Sequence, residues 1–141
     1  MGSVLAIDHG TRRTGVAVAD ALRLHHAPLE VFHGPGDGME LQQYVDELLE
    51  ERDVDVFLVG LPLGKDGQRG ARAREVEAFA RLLAERHPGI ELVFHDEHLT
   101  TREAEDRLRE SGLHGEARKA RKDSWSAWVL LEDWLEAGEP R

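Results

Sequence analysis

Asp8, Asp96, Glu97 and Asp123 are acids at positions where packing alone gives little reason for one. Asp8 closes the apolar run Val4–Ile7, Asp96 and Glu97 follow the run Ile90–His95, and Asp123 heads a segment bearing Ala127, Leu130, Leu131, Trp134 and Leu135. Each has an ordinary reading: Asp8 as a turn residue, Asp96 and Glu97 as loop acids, Asp123 as a helix N-cap. Together they suggest more. Ligands gather beyond the carboxyl ends of parallel strands, so acids at two strand ends can meet in one crevice. Carboxylates brought that close repel unless a proton or cation intervenes. Hard oxygen donors of this kind suit Mg²⁺ or Mn²⁺, which also accept phosphate oxygens.

The elements that position these acids read as an α/β chain. Val4–Ile7, Thr14–Ala19 and Leu29–His33 are short runs separated by turn residues and predict three antiparallel strands. Leu41, Tyr44, Val45, Leu48 and Leu49 then fall on one helical face. Val54–Leu61 predicts a buried strand; Val76, Phe79, Ala80 and Leu83 mark a second helix closed by Pro88-Gly89, and Ile90–His95 a fifth strand. Thr100-Thr101-Arg102-Glu103 fits a capping box, predicting a third helix that ends near Gly112. A basic connector, 113–122, leads to a last helix opened by Asp123, and His25-His26 reads as a turn. The expectation is a mixed five-stranded sheet, three antiparallel strands followed by β-α crossovers, with helices on both faces. No repeat or linker divides residues 1–141, so one domain is expected.

The chain has 141 residues and a net charge of -10, which taken globally opposes contact with nucleic acid. The charge is uneven, however. Acids crowd residues 39–55, whereas Arg12 and Arg13, then Lys65, Arg69, Arg72 and Arg74, then Arg118, Lys119, Arg121 and Lys122 form three basic windows containing one acid, Asp66. The absence of cysteine excludes disulfides, thiolate metal sites and a cysteine nucleophile. Too few apolar residues precede Asp8 for a signal peptide, and no stretch suits a membrane span, so a cytoplasmic protein is expected. His95-Asp96-Glu97-His98 lacks the spacing of a helical zinc pair. Trp125, Trp128 and Trp134 offer base-stacking surfaces but read better as packing anchors.

The first turn, Asp8-His9-Gly10-Thr11, lets backbone N–H groups approach a phosphate. Such a turn also serves two-domain ATPases, and this chain has room for one domain. Leu5-Ala6-Ile7-Asp8-His9-Gly10-Thr11-Arg12-Arg13-Thr14-Gly15-Val16-Ala17-Val18-Ala19-Asp20 resembles the opening of the YqgF family, RNase H-like bacterial proteins described as resolvase-like and as pre-16S ribosomal RNA nucleases. Three further segments resemble it in order: Val59-Gly60-Leu61-Pro62-Leu63-Gly64-Lys65-Asp66-Gly67, Asp96-Glu97-His98-Leu99-Thr100-Thr101, and Lys122-Asp123-Ser124-Trp125-Ser126-Ala127. His9 stands where the family more often has an aromatic or aliphatic residue, and Ser126 where it has alanine.

The resemblance implies an RNase H-like fold and a metal-dependent nuclease, with Asp8, Glu97 and Asp123 as the catalytic carboxylates and ligands of Mg²⁺ or Mn²⁺. Strand alternation puts Asp96 and Glu97 on opposite faces without saying which points inward. Gly10, Thr11, Arg12, Lys65, Arg69, Thr101 and Lys122 are the candidate phosphate contacts, while the acidic first helix should face away. The expected substrate is a 16S ribosomal RNA precursor, acted on by a monomer or weak homodimer. Two alternatives are cleavage of a branched DNA (Holliday) junction and a non-catalytic RNA-binding assembly factor.

Overall fold

The computed structural model describes residues 2–64, 67–97, 106–107, 109–110, 112 and 115–141, with side chains of the last stretch described from Trp125 onward. The chain builds strands β1 (Ser3–Asp8), β2 (Arg13–Ala19), β3 (His26–Pro28), β4 (Phe32–His33), β5 (Val54–Leu61) and β6 (Glu91–Asp96). Helices α1 (Met39–Glu50), α2 (Ala71–Arg86) and α3 (Gly115–Glu136) accompany them. The sheet runs β3-β2-β1-β5-β6, with β4 also paired to β2. β1 and β2 are antiparallel, while β1, β5 and β6 are mutually parallel. The mixed sheet expected from the sequence is therefore present, with six strands rather than five.

The extra strand arises because the predicted third strand is broken. Ala17 pairs with Pro28 and Thr14 with Phe32, so two β2 residues face three on the partner. This is a β-bulge, set beside a proline that cannot donate to the ladder. Leu29 N–H still bonds Val16 C=O at 2.8 Å before the chain leaves the sheet. His26 belongs to β3 and not to a turn.

Side-chain alternation divides the core between the two faces of the sheet. Leu5, Ile7, Phe57, Val59 and Leu61 face Leu41 and Val45 of α1 and Val76, Phe79 and Leu83 of α2. Val4, Ala6, Val56, Leu58 and Val93 face Ala127, Leu130, Leu131 and Trp134 of α3. Trp134 is fully buried, its indole N–H donating to Pro140 C=O at 3.0 Å. The packing role expected for it holds. Trp128 donates to His26 Nδ1 at 2.8 Å and lies under the Arg107 guanidinium, so it too is a packing residue.

The last helix departs from expectation. It begins at Gly115, so Asp123 lies two turns inside it and is not an N-cap; the presumed connector is helix from Gly115 on. Residues 116–122 hold Glu, Ala, Arg and Lys, all strong helix formers, but no apolar stripe from which periodicity could be read. Residues 106, 107, 109 and 110 are helical, within the predicted third helix. The Thr100-Thr101 capping box lies outside the described residues.

Candidate active site

Parallel pairing brings three strand ends to one edge. Ile7 aligns with Val59, Gly60 with His95 and Leu61 with Asp96, so Asp8 and Glu97 emerge on either side of the β5 terminus. Strand alternation sends Asp8 to the face of Val4 and Ala6, and Glu97 to that of Val93 and His95, the α3 side of the sheet. The question left open by the sequence is resolved in favour of Glu97, which is half-buried, whereas Asp96 is exposed.

Glu97 and Asp8 share a side-chain hydrogen bond, which requires a proton on one of the two carboxyls. Burial raises the Glu97 pKa above the ordinary carboxylate range, and the Asp96 charge pushes the same way. The bond to Asp8 and the Arg72 charge act against this. The Glu97 backbone N–H bonds Leu61 C=O at 3.3 Å, pinning the residue beside β5.

Gly60 makes room for the pair. A methyl group there would lie 2.6 Å from Glu97 Oε2 and 3.1 Å from Leu130 Cδ2, so any larger residue must displace the carboxylate. Leu130 also relates the pair to α3, because Asp123 precedes it by seven residues, two helical turns along the same stripe. The Asp123 side chain, like that of Lys122, lies outside the described residues.

The turn after Asp8 is tight. A methyl group on Gly10 would collide with Arg13 C=O at 1.8 Å, so only glycine fits, and Gly10 N–H points to Thr14 Oγ1 at 3.3 Å. His9, the departure from the family pattern, is buried and stacks on Phe79 with ring centroids 4.4 Å apart. Its Nε2 meets Gly36 C=O at 2.8 Å and its Nδ1 meets Arg72 Nη2 at 3.0 Å. With an acceptor at Nε2 and a donor at Nδ1, the ring is the neutral Nε2–H tautomer. Burial, with Arg72 beside it, lowers the His9 pKa and keeps it so. Arg72 donates also to His9 C=O and pairs with Glu75 at 2.8 Å.

The basic windows are less free than their composition suggests. Arg69 sits in a bridge to Leu63 and pairs with Glu77 at 3.4 Å, while its side chain remains largely exposed. Thr11 and Arg12 are exposed at the turn, and their carbonyls accept from Gly36 and Gly34. Lys65 and Thr101 lie outside the described residues. The first helix packs on the sheet face opposite Asp8 and Glu97, and its opening residues Met39 and Gln42 line a cavity with His9 and Arg72. His95 Nε2 lies 2.7 Å from Asp133 Oδ2, and His98 lies outside the described residues. Gln42 is three residues before Val45 and seven before Leu49, at the edge of the buried face of α1, and that spacing was the signal for it.

The sequence model of the family described as "RuvX: Holliday junction resolvase" matches residues 2–137. The chain belongs to the RuvX family. It is 38% identical over 135 residues to a "Putative pre-16S rRNA nuclease" of Sodalis glossinidius, covering 96% of this chain and 94% of the relative. Against the same-named protein of Anaeromyxobacter the identity is 39% over 132 residues, covering 94% and 95%. Two solved structures show that this RuvX chain has the fold of the resolvases. Thermus thermophilus RuvC with a Holliday junction substrate superposes with a TM-score of 0.58 at 16% identity, covering 97% and 96%. The fowlpox virus resolvase with junction DNA gives 0.62 at 8%, covering 98% and 99%.

Proposed function

We propose that the chain is a metal-dependent nuclease that hydrolyses phosphodiester bonds in the 16S ribosomal RNA precursor, working in the cytoplasm. The observation that carries this reading is the Asp8–Glu97 pair at the parallel strand ends, in a chain whose relatives bear the pre-16S rRNA nuclease name. The donor set fits a divalent ion. Two carboxylates in hydrogen-bond contact must hold a proton or a cation between them, and their hard oxygens suit Mg²⁺ or Mn²⁺.

Asp8, Glu97 and Asp123 would hold the metal, Asp123 on the strength of its helical stripe. When bound, such an ion supplies a Lewis acid for the phosphoryl group and an acidic water. For both carboxylates to act as ligands, the proton that Asp8 and Glu97 share would have to leave the pair. Gly10, with no side chain, lets the phosphate approach the turn and Thr11 closely, and Arg12, Lys65, Arg69, Thr101 and Lys122 hold the flanking backbone without reading sequence.

A second reading, cleavage of a four-way DNA junction, is favoured by the family description and by the fold shared with two junction-bound resolvases. One experiment separates them: precursor-like RNA and a four-way junction are incubated with wild type and Asp8→Asn under Mg²⁺, Mn²⁺ or EDTA. Metal-dependent RNA cleavage lost in the variant is expected. Junction-only cleavage moves the assignment to recombination. Binding of RNA without cleavage of either substrate overturns both in favour of an assembly factor.

A further inference from the structure

On the opposite side of the first turn from the carboxylates lies a cavity of about 460 Å³, between the start of α1 and the outer face of α2. That volume is in the range of small-ligand pockets. Its apolar wall comes from Met39, Phe79 and Leu82, two of which are 55% exposed. Large apolar side chains held open to water around a formed cavity are worth explaining.

The cavity also has a polar demand. Gln42 lines it, is only 4% exposed, and its Oε1 has no hydrogen-bond partner. A buried amide oxygen left unpaired costs about 1–3 kcal/mol, so something that brings an N–H donor is favoured there. The terminal torsion of glutamine is soft, so the amide can turn toward an incoming group.

Arg72 connects the two sides. It lines the cavity, is held by His9, and its charge acts on Glu97. Asp37 and Glu75 also line the cavity, which disfavours a phosphate inside it. The occupant that meets all these conditions has a flat apolar body, an N–H donor, and a phosphate that stays outside near Arg72.

We propose that this cavity receives one unpaired nucleobase of the nucleic acid whose phosphate lies at the carboxylates. The inference rests on the nuclease reading for the source of the base. Adenine fits best, because its N6–H and N7 pair match both halves of a glutamine amide. An enzyme that takes up an unpaired base selects single-stranded or easily unstacked sites over regular duplex.

The chain contains two methionines, Met1 and Met39, so methyl labelling gives two signals with one of them in the cavity wall. The full-length protein is titrated in EDTA with AMP, CMP, GMP, UMP, ribose 5-phosphate and inorganic phosphate. A saturable shift of the Met39 methyl with AMP is expected, strongest among the four nucleotides, with none from ribose 5-phosphate or phosphate. Gln42→Leu should weaken AMP binding by about 5- to 10-fold, the worth of one neutral hydrogen bond, without lowering Tm. Leu82→Trp, at an exposed helix position, should block the cavity and abolish the shift.

No response to any nucleotide overturns the proposal. So does an equal response to ribose 5-phosphate, which would mean an anion site at Arg72 alone, or concentration-dependent broadening without ligand, which would mean that a second copy covers this face. An unchanged affinity in Gln42→Leu overturns the role of the amide. The titration involves no turnover, so a missing cleavage activity would count against the nuclease reading without altering this result.

Discussion

Asp8 and His9 are neighbours in the chain, yet they serve opposite faces of the sheet. Asp8 turns to the α3 side, where it and Glu97 hold one hydrogen bond between two acids. His9 turns to the α1–α2 side, where stacking on Phe79 and bonds to Gly36 and Arg72 satisfy both ring nitrogens. One side brings two acids together over a single hydrogen bond; the other anchors Arg72 through the His9 ring beside an open cavity. The difference teaches that the same turn separates chemistry from positioning. Variants on the two sides should therefore fail in different ways.

The largest effect should come from removing a carboxylate. Asp8→Asn is expected to lower metal-dependent cleavage at least about a thousandfold, as loss of a central catalytic group does. Its amide can still donate to Glu97, so the thermal melt of the metal-free protein should hold or rise. A large fall in Tm would instead make Asp8 a structural residue.

Gly60→Ala tests position alone. Both carboxylates remain, but the methyl group displaces Glu97 Oε2. A shift of about 1 Å in a catalytic group costs roughly 100-fold. Cleavage kinetics beside a denaturant melt should therefore show an activity loss far exceeding the stability loss.

On the scaffold side, His9→Phe keeps a ring against Phe79 but leaves Gly36 C=O without its donor and removes the ring nitrogen that accepts from Arg72. Stability should fall by about 1–3 kcal/mol, read by denaturant midpoint. Cleavage should decline mainly through weaker substrate binding, with kcat changing less than KM.

The smallest effect is a pH trend. Burial raises the Glu97 pKa in the folded state above its unfolded value of about 4.3. The folded protein therefore binds the extra proton, and its stability is fully present below the unfolded pKa. Stability is lost as pH rises from there through the folded value. Metal-free wild type should thus show a Tm that declines across this window, and Glu97→Gln should flatten the decline. A rising Tm in wild type would break the comparison.

Much of this architecture was legible in the residues. Val54–Leu61 is a strand over the expected span, because a continuous apolar run ending at Gly60-Leu61-Pro62 has few other solutions. The bulge between β3 and β4 was not legible, since Leu29–His33 alternates well enough for one strand and only pairing with β2 reveals the added residue. The early start of α3 was hidden for a related reason: its first two turns lack the apolar repeat by which a helix is recognised.

The sequence by itself determined the residue types at the strand ends, the glycine of the first turn, and the order of motifs that places the chain in the RuvX family. Those are local properties, set by short-range sterics and by hydrophobic period. Only the tertiary structure decided that Glu97 rather than Asp96 meets Asp8, that Gly60 is the space they occupy, and that His9 anchors Arg72. Strand register and the packing of helices on either face settle such contacts, and both depend on residues tens of positions apart in the chain.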